Sequence, residues 1–466
     1  MPMVVKNRDY VVDITDMTHE GLGVGRIDGL AVFTDGALAG EQVELKIIKV
    51  RRTYAVGKLL KVLKPSPDRV IPFCSVFKRC GGCSLQHMDY NAQLAFKTKL
   101  VRDSLERIGG LDDVKVRDTI GMKSPYNYRN KAQYPVASAD GRIVTGFYAP
   151  RSHEVIGSEE CRIQDAESDR IRKLVTGFMM EKGIPAYDEK TGKGLVRHII
   201  TRVGFNTGEI MVILVINGDT LPHVDELVKR LVDGTGSKGT AFQNSGSSRV
   251  KSVYLNVNTA NTNVIMGDKN ILVYGSESIA EKIGDYTFMI SPGSFFQVNT
   301  AQTEVLYSKV LEFAGLNGSE TVFDLYCGIG TISLFLSSRA RMVYGVEVVT
   351  AAVNDARKNA ELNGAGNVEF IEGEAEKAVP ELYRKGINAD VVVLDPPRKG
   401  CDESLLRLIA ADMRPDRIVY VSCNPATLAC DLKYLDAQGY RAAEVQPVDL
   451  FPWTGHVECV VLITKL

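Results

Sequence analysis

The chain has no excess of charge of either sign: 56 Lys and Arg stand against 57 Asp and Glu, a net charge of −1 over 466 residues. No overall basic field advertises a nucleic-acid partner, so such a partner has to be sought in local patches. No run of about 18 apolar residues occurs, which excludes an ordinary membrane-spanning helix. The opening MPMVVKNRDYVV lacks the apolar centre of a secretory signal, and the expectation is a cytoplasmic protein without membrane contact, working as a monomer. Internal repeats and low-complexity tracts are missing too. A hydrophobic share of 45% and a charged share of 24% exclude wholesale disorder. The length, about three times a domain of roughly 150 residues, implies two to four domains. The nine cysteines are an odd number, and in a reducing compartment they read as metal ligands, nucleophiles or buried apolar residues rather than disulfides.

Residues 1–64 carry short alternating runs separated by glycine turns, YVVDI, GLGVGRIDGLAVFTDGAL, EQVELKIIKV and TYAVGKLLKVLK, the pattern of a small β-barrel. KPSPDRVIPF reads as a linker. Residues 70–280 form a mixed central segment, with helical spacing from Asn91 to Ile108, a helix expected to pack on the last domain, and strand-like pieces RIVTGFYAP, GEIMVILVING and NVIMG. From 281 to 466 apolar strand runs alternate with helical stretches: TVFDLY, MVYGVE, VEFIEG, DVVVLDPP, RIVYVSCN and CVVLITKL. The fold class is α/β, with a C-terminal doubly wound, mainly parallel sheet whose ligands bind beyond the carboxyl ends of the strands.

In FDLYCGIGT a strand runs into a glycine-bearing turn, with Tyr326, Gly328 and Gly330, and then into a helix. The next strand ends in Glu347, nineteen positions after Gly328, where a carboxylate can take ribose hydroxyls. The pattern suits a nucleoside cofactor. The third glycine of a dinucleotide fingerprint is replaced by Ser333. Asp324, closing the first strand, suits the cationic amino-acid end of S-adenosylmethionine better than a diphosphate, which it would repel. Asp395 ends VVVLDPP, two prolines fixing a rigid bend after it, and the continuation is Arg398-Lys399-Gly400-Cys401 rather than the aromatic of many amino-group methylases.

Cys423, in SCNP, falls at the end of RIVYVS, on the same rim as Asp395. A thiolate there can attack carbon 6 of a pyrimidine and make carbon 5 reactive enough to take a methyl group. Carbon 5 must then lose its proton to a base, for which Glu458 and His456 are the candidates. A Glu opening the apolar strand CVVLI is expected to have a raised pKa.

Cys74-x5-Cys80-x2-Cys83 with the distant Cys161 supplies four thiolates, enough for a [4Fe-4S] cluster or tetrahedral zinc, between which spacing alone does not choose. Lys46, Lys49, Arg51, Arg52, Lys58, Lys61 and Lys64 crowd one stretch with no acidic residue, as in phosphate-tracking modules. A second patch, Lys123 to Lys131, interleaves Tyr126 and Tyr128 with Arg129 and Lys131, and Arg197, His198 and Arg202 add a third.

Taken together, SPGSFFQVN, DLYCGIGTISL, DPPRKGC, SCNPATLA, HVECV and the CxxxxxCGGC pattern resemble the RNA uridine-5-methyltransferase family over nearly the whole chain. The resemblance implies a TRAM-like barrel, a cysteine-bearing middle and a Rossmann-like methyltransferase domain. It implies Cys423 as nucleophile, Glu458 as base, and Gln297, Tyr326, Glu347 and Asp395 on S-adenosylmethionine. Phe295 or Phe296 would stack on the target uracil, and the four cysteines would hold a [4Fe-4S] cluster. The implied substrate is 23S ribosomal RNA, with transfer RNA as the alternative, and an RNA-binding or chaperone protein with a vestigial methylase fold as a reading of another class. The family often has an arginine before Asp431, where this chain has Cys430.

Overall fold

The computed structural model describes residues 4–234 and 248–466. The alternating runs at the N-terminus close into a five-stranded barrel of β1 (Asp9–Met17), β2 (Gly23–Ile27), β3 (Leu30–Asp35), β4 (Gln42–Val50) and β5 (Tyr54–Lys64). Val12, Ile14, Val32, Val43, Leu45 and Ile47 point inward as period-two alternation requires.

After the linker, α1 (Tyr90–Ser104), capped by the Asp89 carboxylate on Asn91 N, runs into a π turn at Leu105–Gly109. The short β6 (Lys115–Val116) follows. The chain then builds a seven-stranded sheet from β7 (Lys131–Ala139), β8 (Arg142–Tyr148), β9 (Val155–Gly157), β10 (Val196–Val203), β11 (Glu209–Ile216), β12 (Arg249–Val257) and β13 (Lys269–Gly275). After Glu209, β11 reads IMVILVI, apolar throughout because both its faces are covered. Ile210, Val212 and Leu214 pack with α2 (Ala166–Lys182) and α3 (Val224–Gly234), whereas Met211, Ile213 and Val215 share a core with the C-terminal part. NVIMG, expected as a strand, is a loop. The Asn258 amide donates to the Val264 and Ile265 carbonyls and the Asn256 side chain bonds both backbone groups of Gly267, so these groups are taken from any ladder.

A hairpin of β14 (Ile279–Ile283) and β15 (Tyr286–Ile290) leads to the last sheet. Its strands are β16 (Thr321–Leu325), β17 (Met342–Glu347), β18 (Val368–Glu372), β19 (Val391–Leu394), β20 (Arg417–Ser422), β21 (Tyr440–Val448) and β22 (Glu458–Lys465), joined by β6. Between them lie α4 (Thr300–Ala314), α5 (Thr331–Ser337), α6 (Thr350–Leu362), α7 (Ala375–Arg384), α8 (Glu403–Arg407) and α9 (Pro425–Ala437). The order is β18-β17-β16-β19-β20-β22-β21-β6. Strands β16 to β20 are parallel, and β22 is antiparallel to both its neighbours. The order reverses beside β16, the place where such sheets open a crevice for a ligand. The 90–116 segment, although it precedes the central sheet in the chain, packs α1 and the π turn on α9 and pairs β6 with β21.

Candidate active site

At the end of β16, Tyr326 N and Cys327 N both donate to Val346 O at 2.9 and 3.1 Å, folding the turn over the next strand. Tyr326 takes a left-handed φ of 67°, a conformation that costs a non-glycine residue and persists at functional sites. Gly330 has φ 79°, and a Cβ there would stand 2.6 Å from the Phe370 ring. At Gly328, φ 56°, a Cβ would meet nothing within 4 Å, which leaves room for a ligand beside the backbone. Glu347 is tied to this turn: Oε2 accepts from Gly328 N at 3.0 Å and Oε1 from Val349 N at 2.9 Å. Tyr326 OH donates to Glu376 at 3.0 Å.

Asp324 is fully buried; Ser333 donates to its Oδ2, and its Oδ1 has no partner. Burial, opposed by the Ser333 bond and reinforced by Asp395 and Glu347, pushes its carboxyl up to about 7. Asp395, whose N–H reaches Leu325 O at 3.3 Å across the switch point, is pushed up to about 7 by burial. A buried carboxyl with an unpartnered oxygen beside an open glycine turn favours a cationic ligand. S-adenosylmethionine carries both a sulfonium and an ammonium, so these residues fit it, and a diphosphate would be repelled.

Cys423 follows β20, and Pro425 in the first turn of α9 with the Asn424 cap on Ala426 N turns the chain there. Because β22 runs antiparallel with Ser422 opposite Cys459, its first residue, Glu458, starts at the rim where β20 ends. The two expected reactive residues are thereby neighbours, and Cys423 feels the charge of Glu458. Burial and then Glu458 raise the Cys423 thiol, while Arg398 lowers it. Glu458 is 5% exposed; burial and Asp395 push it up to about 8 against the pull of Arg398.

Arg398 is the cation the sequence did not single out. Its carbonyl accepts from Asn424 Nδ2 at 3.1 Å and Thr427 Oγ1 at 3.3 Å, the N-cap and first turn of α9, so the start of the helix that follows Cys423 also holds the arginine. The same loop is pinned by Asp431, which accepts from Cys401 N at 2.9 Å and from Tyr420 OH. The neighbouring Cys430 is exposed. The signal was present in DPPRKG, but nothing in a linear chain ties Arg398 to a cysteine 25 positions on. His456 stands 3.3 Å from Arg398 Nη2 with part of its side chain open to solvent, and partial desolvation of the ring, then Arg398, lower its imidazole.

Of the paired phenylalanines, Phe295 is 72% exposed and Phe296 5%. Phe296 lies in the core 6.2 Å from the Phe288 ring, so the expectation that it could stack on RNA is corrected: only Phe295 faces outward. Gln297, partly buried, is held through its carbonyl by Asn130 Nδ2 at 2.9 Å. Arg202, buried, donates to the Pro292 and Ser294 carbonyls of the same loop and lies opposite Lys131 across β7 and β10. Burial, then Arg202 and Arg129, bring the Lys131 amine down to about 7. Arg129 also acts on His456. On the barrel, Lys49, Arg51, Arg52, Lys58, Lys61 and Lys64 are exposed, and Lys46 pairs with Asp9 at 3.6 Å.

Cys83 and Cys161 pack beside a hydrophobic cluster of Tyr128, Ile163 and Trp453 that also gathers the rings of Phe73, Tyr90 and Tyr126. Both thiols are pushed up to about 12, chiefly by burial; Cys161, Cys80 and Cys74 add to the shift at Cys83, and Asp169 and Cys80 add to it at Cys161. Gly82 N donates to Cys80 Sγ at 3.4 Å. The fold thus brings the four thiols near one another, but among the described residues no group of three or more His, Cys, Asp or Glu is drawn together tightly enough to hold a metal ion. Among the described residues, no helix is long and apolar enough to cross a membrane.

Residues 6–60 match the TRAM domain, in agreement with the closed barrel. An RNA methyltransferase of Halalkalibacterium halodurans is 51% identical over 98% of this chain and 97% of its own length. One from Caldanaerobacter subterraneus is 50% identical over 98% of both. The crystal structure of the Pyrococcus abyssi tRNA (uracil-54, C5)-methyltransferase in complex with S-adenosyl-L-homocysteine superposes with a TM-score of 0.77 at 28% identity, covering 98% of this chain and 100% of that one. Residues 229–466 match the family described as tRNA (Uracil-5-)-methyltransferase. With the acidic cofactor crevice and the paired Cys423 and Glu458, these likenesses place the chain in the RNA uracil-5-methyltransferase family, as an S-adenosylmethionine-dependent RNA methyltransferase.

Proposed function

We propose that this enzyme methylates carbon 5 of uridine in 23S ribosomal RNA, at one or two sites, through a covalent bond between Cys423 and carbon 6. The observation that carries the reading is the meeting of Cys423 and Glu458 at one rim, with Arg398 acting on both. Arg398 favours the thiolate, which adds to carbon 6. S-adenosylmethionine supplies an electrophilic methyl group, held by Asp324, Asp395, Tyr326, Gly328, Glu347 and Gln297. The Glu458 carboxylate then takes the carbon 5 proton, the double bond reforms and the thiolate leaves. A base whose pKa lies near 8 is a stronger proton acceptor than an ordinary carboxylate. Phe295, Arg129, Lys131 and His456 line the approach of RNA, and the exposed barrel cations track its phosphates.

A transfer-RNA substrate is the second reading, favoured by the likeness to the Pyrococcus abyssi enzyme, which runs through the barrel. RNA carrying 5-fluorouracil at the target should become trapped on Cys423 as a denaturant-resistant adduct when the methyl donor is present; no adduct rejects the covalent scheme. Mapping the methyl marks missing from ribosomal and transfer RNA of a deletion strain decides the substrate. The reading divides the chain at 1–64, 70–280 and 281–466 and treats it as a cytoplasmic monomer. It also assigns a [4Fe-4S] cluster to Cys74, Cys80, Cys83 and Cys161, on the Cys74-x5-Cys80-x2-Cys83 spacing with the distant Cys161 and on the resemblance. Near-stoichiometric zinc without iron in anaerobically purified protein would overturn that assignment.

A further inference from the structure

The loop that leads into Glu458 is held by the residues that follow Cys83. Ser84 N and Leu85 N both donate to Trp453 O at 3.0 Å. Gly455 N donates to Ser84 Oγ at 3.2 Å. Trp453 N donates to Oε1 of Gln93 on α1 at 3.0 Å, whose Nε2 in turn bonds the Leu85 and Met88 carbonyls. The indole is 4% exposed, donates to Pro125 O at 2.6 Å, and meets the rings of Phe73, Tyr126 and Tyr90 at 5.1, 5.4 and 5.6 Å. Trp453 has φ 69°, a left-handed conformation rare for a bulky side chain, which persists only where surrounding bonds impose it. The bonds to its carbonyl come from Ser84 and Leu85, next to Cys83, Gln93 takes its N–H, and Cys83 and Cys161 lie against the same cluster of rings.

We propose that Trp453 and Ser84 are positioning residues through which the cysteine segment fixes the Glu458 carboxylate for proton abstraction. The inference rests on Glu458 being the base. In the step concerned, the carbon 5 proton passes to the Glu458 carboxylate and the C–H electron pair forms the carbon 5 to carbon 6 double bond. The carbon 6 to sulfur bond breaks and its pair returns to Cys423. Thiolate addition and methyl transfer come earlier and do not call on this carboxylate as a proton acceptor. Loosening the clamp therefore slows the late step alone.

The test uses the full-length enzyme with transcribed 23S ribosomal RNA and transfer RNA, and the same transcripts carrying 5-fluorouracil, on which the reaction halts before proton removal. Ser84→Ala should slow turnover by about fivefold, the worth of one neutral hydrogen bond. The covalent methylated intermediate should rise on ordinary RNA, while adduct formation on fluorinated RNA keeps the wild-type rate. Ser84→Thr, which keeps the hydroxyl, should restore turnover. Trp453→Phe, which keeps a ring but loses the bond to Pro125, should repeat the alanine pattern. The chain has 1 tryptophan, so its emission reports the clamp directly and should shift in Ser84→Ala. The inference is overturned if addition and turnover fall by the same factor, or if neither changes. Should the wild type itself form no adduct on either fluorinated RNA, the covalent reading fails, and this inference with it.

Discussion

Asp324 offers a test of the cofactor crevice in which sign and size both follow from its surroundings. In Asp324→Asn the shape is kept and Ser333 can still donate to a carbonyl oxygen, but the group no longer ionises. In the wild type the carboxyl titrates near 3.8 when unfolded and about 7 when folded. The folded state thus binds the proton more tightly, so ionisation opposes folding. Stability is highest when the group is protonated, falls as pH rises from the unfolded pKa, and levels off above the folded one. With these two values the wild type should lose about 2–3 kcal/mol between pH 5 and pH 8 relative to the variant, whose side chain contributes no slope. Urea unfolding of both proteins at the two pH values, without cofactor, reads the difference directly. The variant should also bind S-adenosylhomocysteine at least about tenfold more weakly, through loss of a charge-assisted bond to the ammonium. An equal stability gap at both pH values would refute the claim that burial raises this carboxyl's pKa. Unchanged affinity would remove it from the cofactor site.

Glu458→Gln should lower turnover by about 10² to 10⁴ while the enzyme accumulates a denaturant-resistant complex with unmodified RNA, seen on denaturing gels; loss of turnover without that complex would place Glu458 before methyl transfer. Arg398→Met removes the cation that lowers the Cys423 thiol, so the pH midpoint for iodoacetamide labelling of Cys423, followed by peptide mass spectrometry, should move upward. An unmoved midpoint would show that Arg398 does not act on the thiol. Lys97 and Asp449 form an ion pair at 2.5 Å with both side chains fully buried, and Tyr90 OH also donates to Asp449 at 2.9 Å. Lys97→Met should cost about 3–5 kcal/mol by leaving a buried charge short of its partner, measured by urea unfolding at pH 7. A change below about 1 kcal/mol would mean the pair is dispensable.

Local pattern accounts for what was readable. The barrel strands, the glycine turn after Asp324, Cys423 at a strand end and Glu458 at a strand start all depend on residues within a few positions of one another. The loop at NVIMG was misread because the side chains of Asn256 and Asn258, several residues away, capture its backbone. Phe295 and Phe296 were indistinguishable in sequence, since adjacent residues of the same type differ only in which way the loop turns them. β21 went unread because its polar residues dilute the strand pattern, although it pairs with β22 along its length.

By itself the amino-acid order determined the element types, the acidic crevice chemistry and the identity of the sulfur and carboxyl groups, since periodicity and turn chemistry act over a few residues. Only the tertiary structure decided that Glu458 neighbours Cys423, that Arg398 acts on both, and that Ser84 grips the loop before Glu458. Each of these depends on the antiparallel insertion of β22 or on contacts between segments up to 371 positions apart. Such contacts exist only once a common core has drawn the distant segments together.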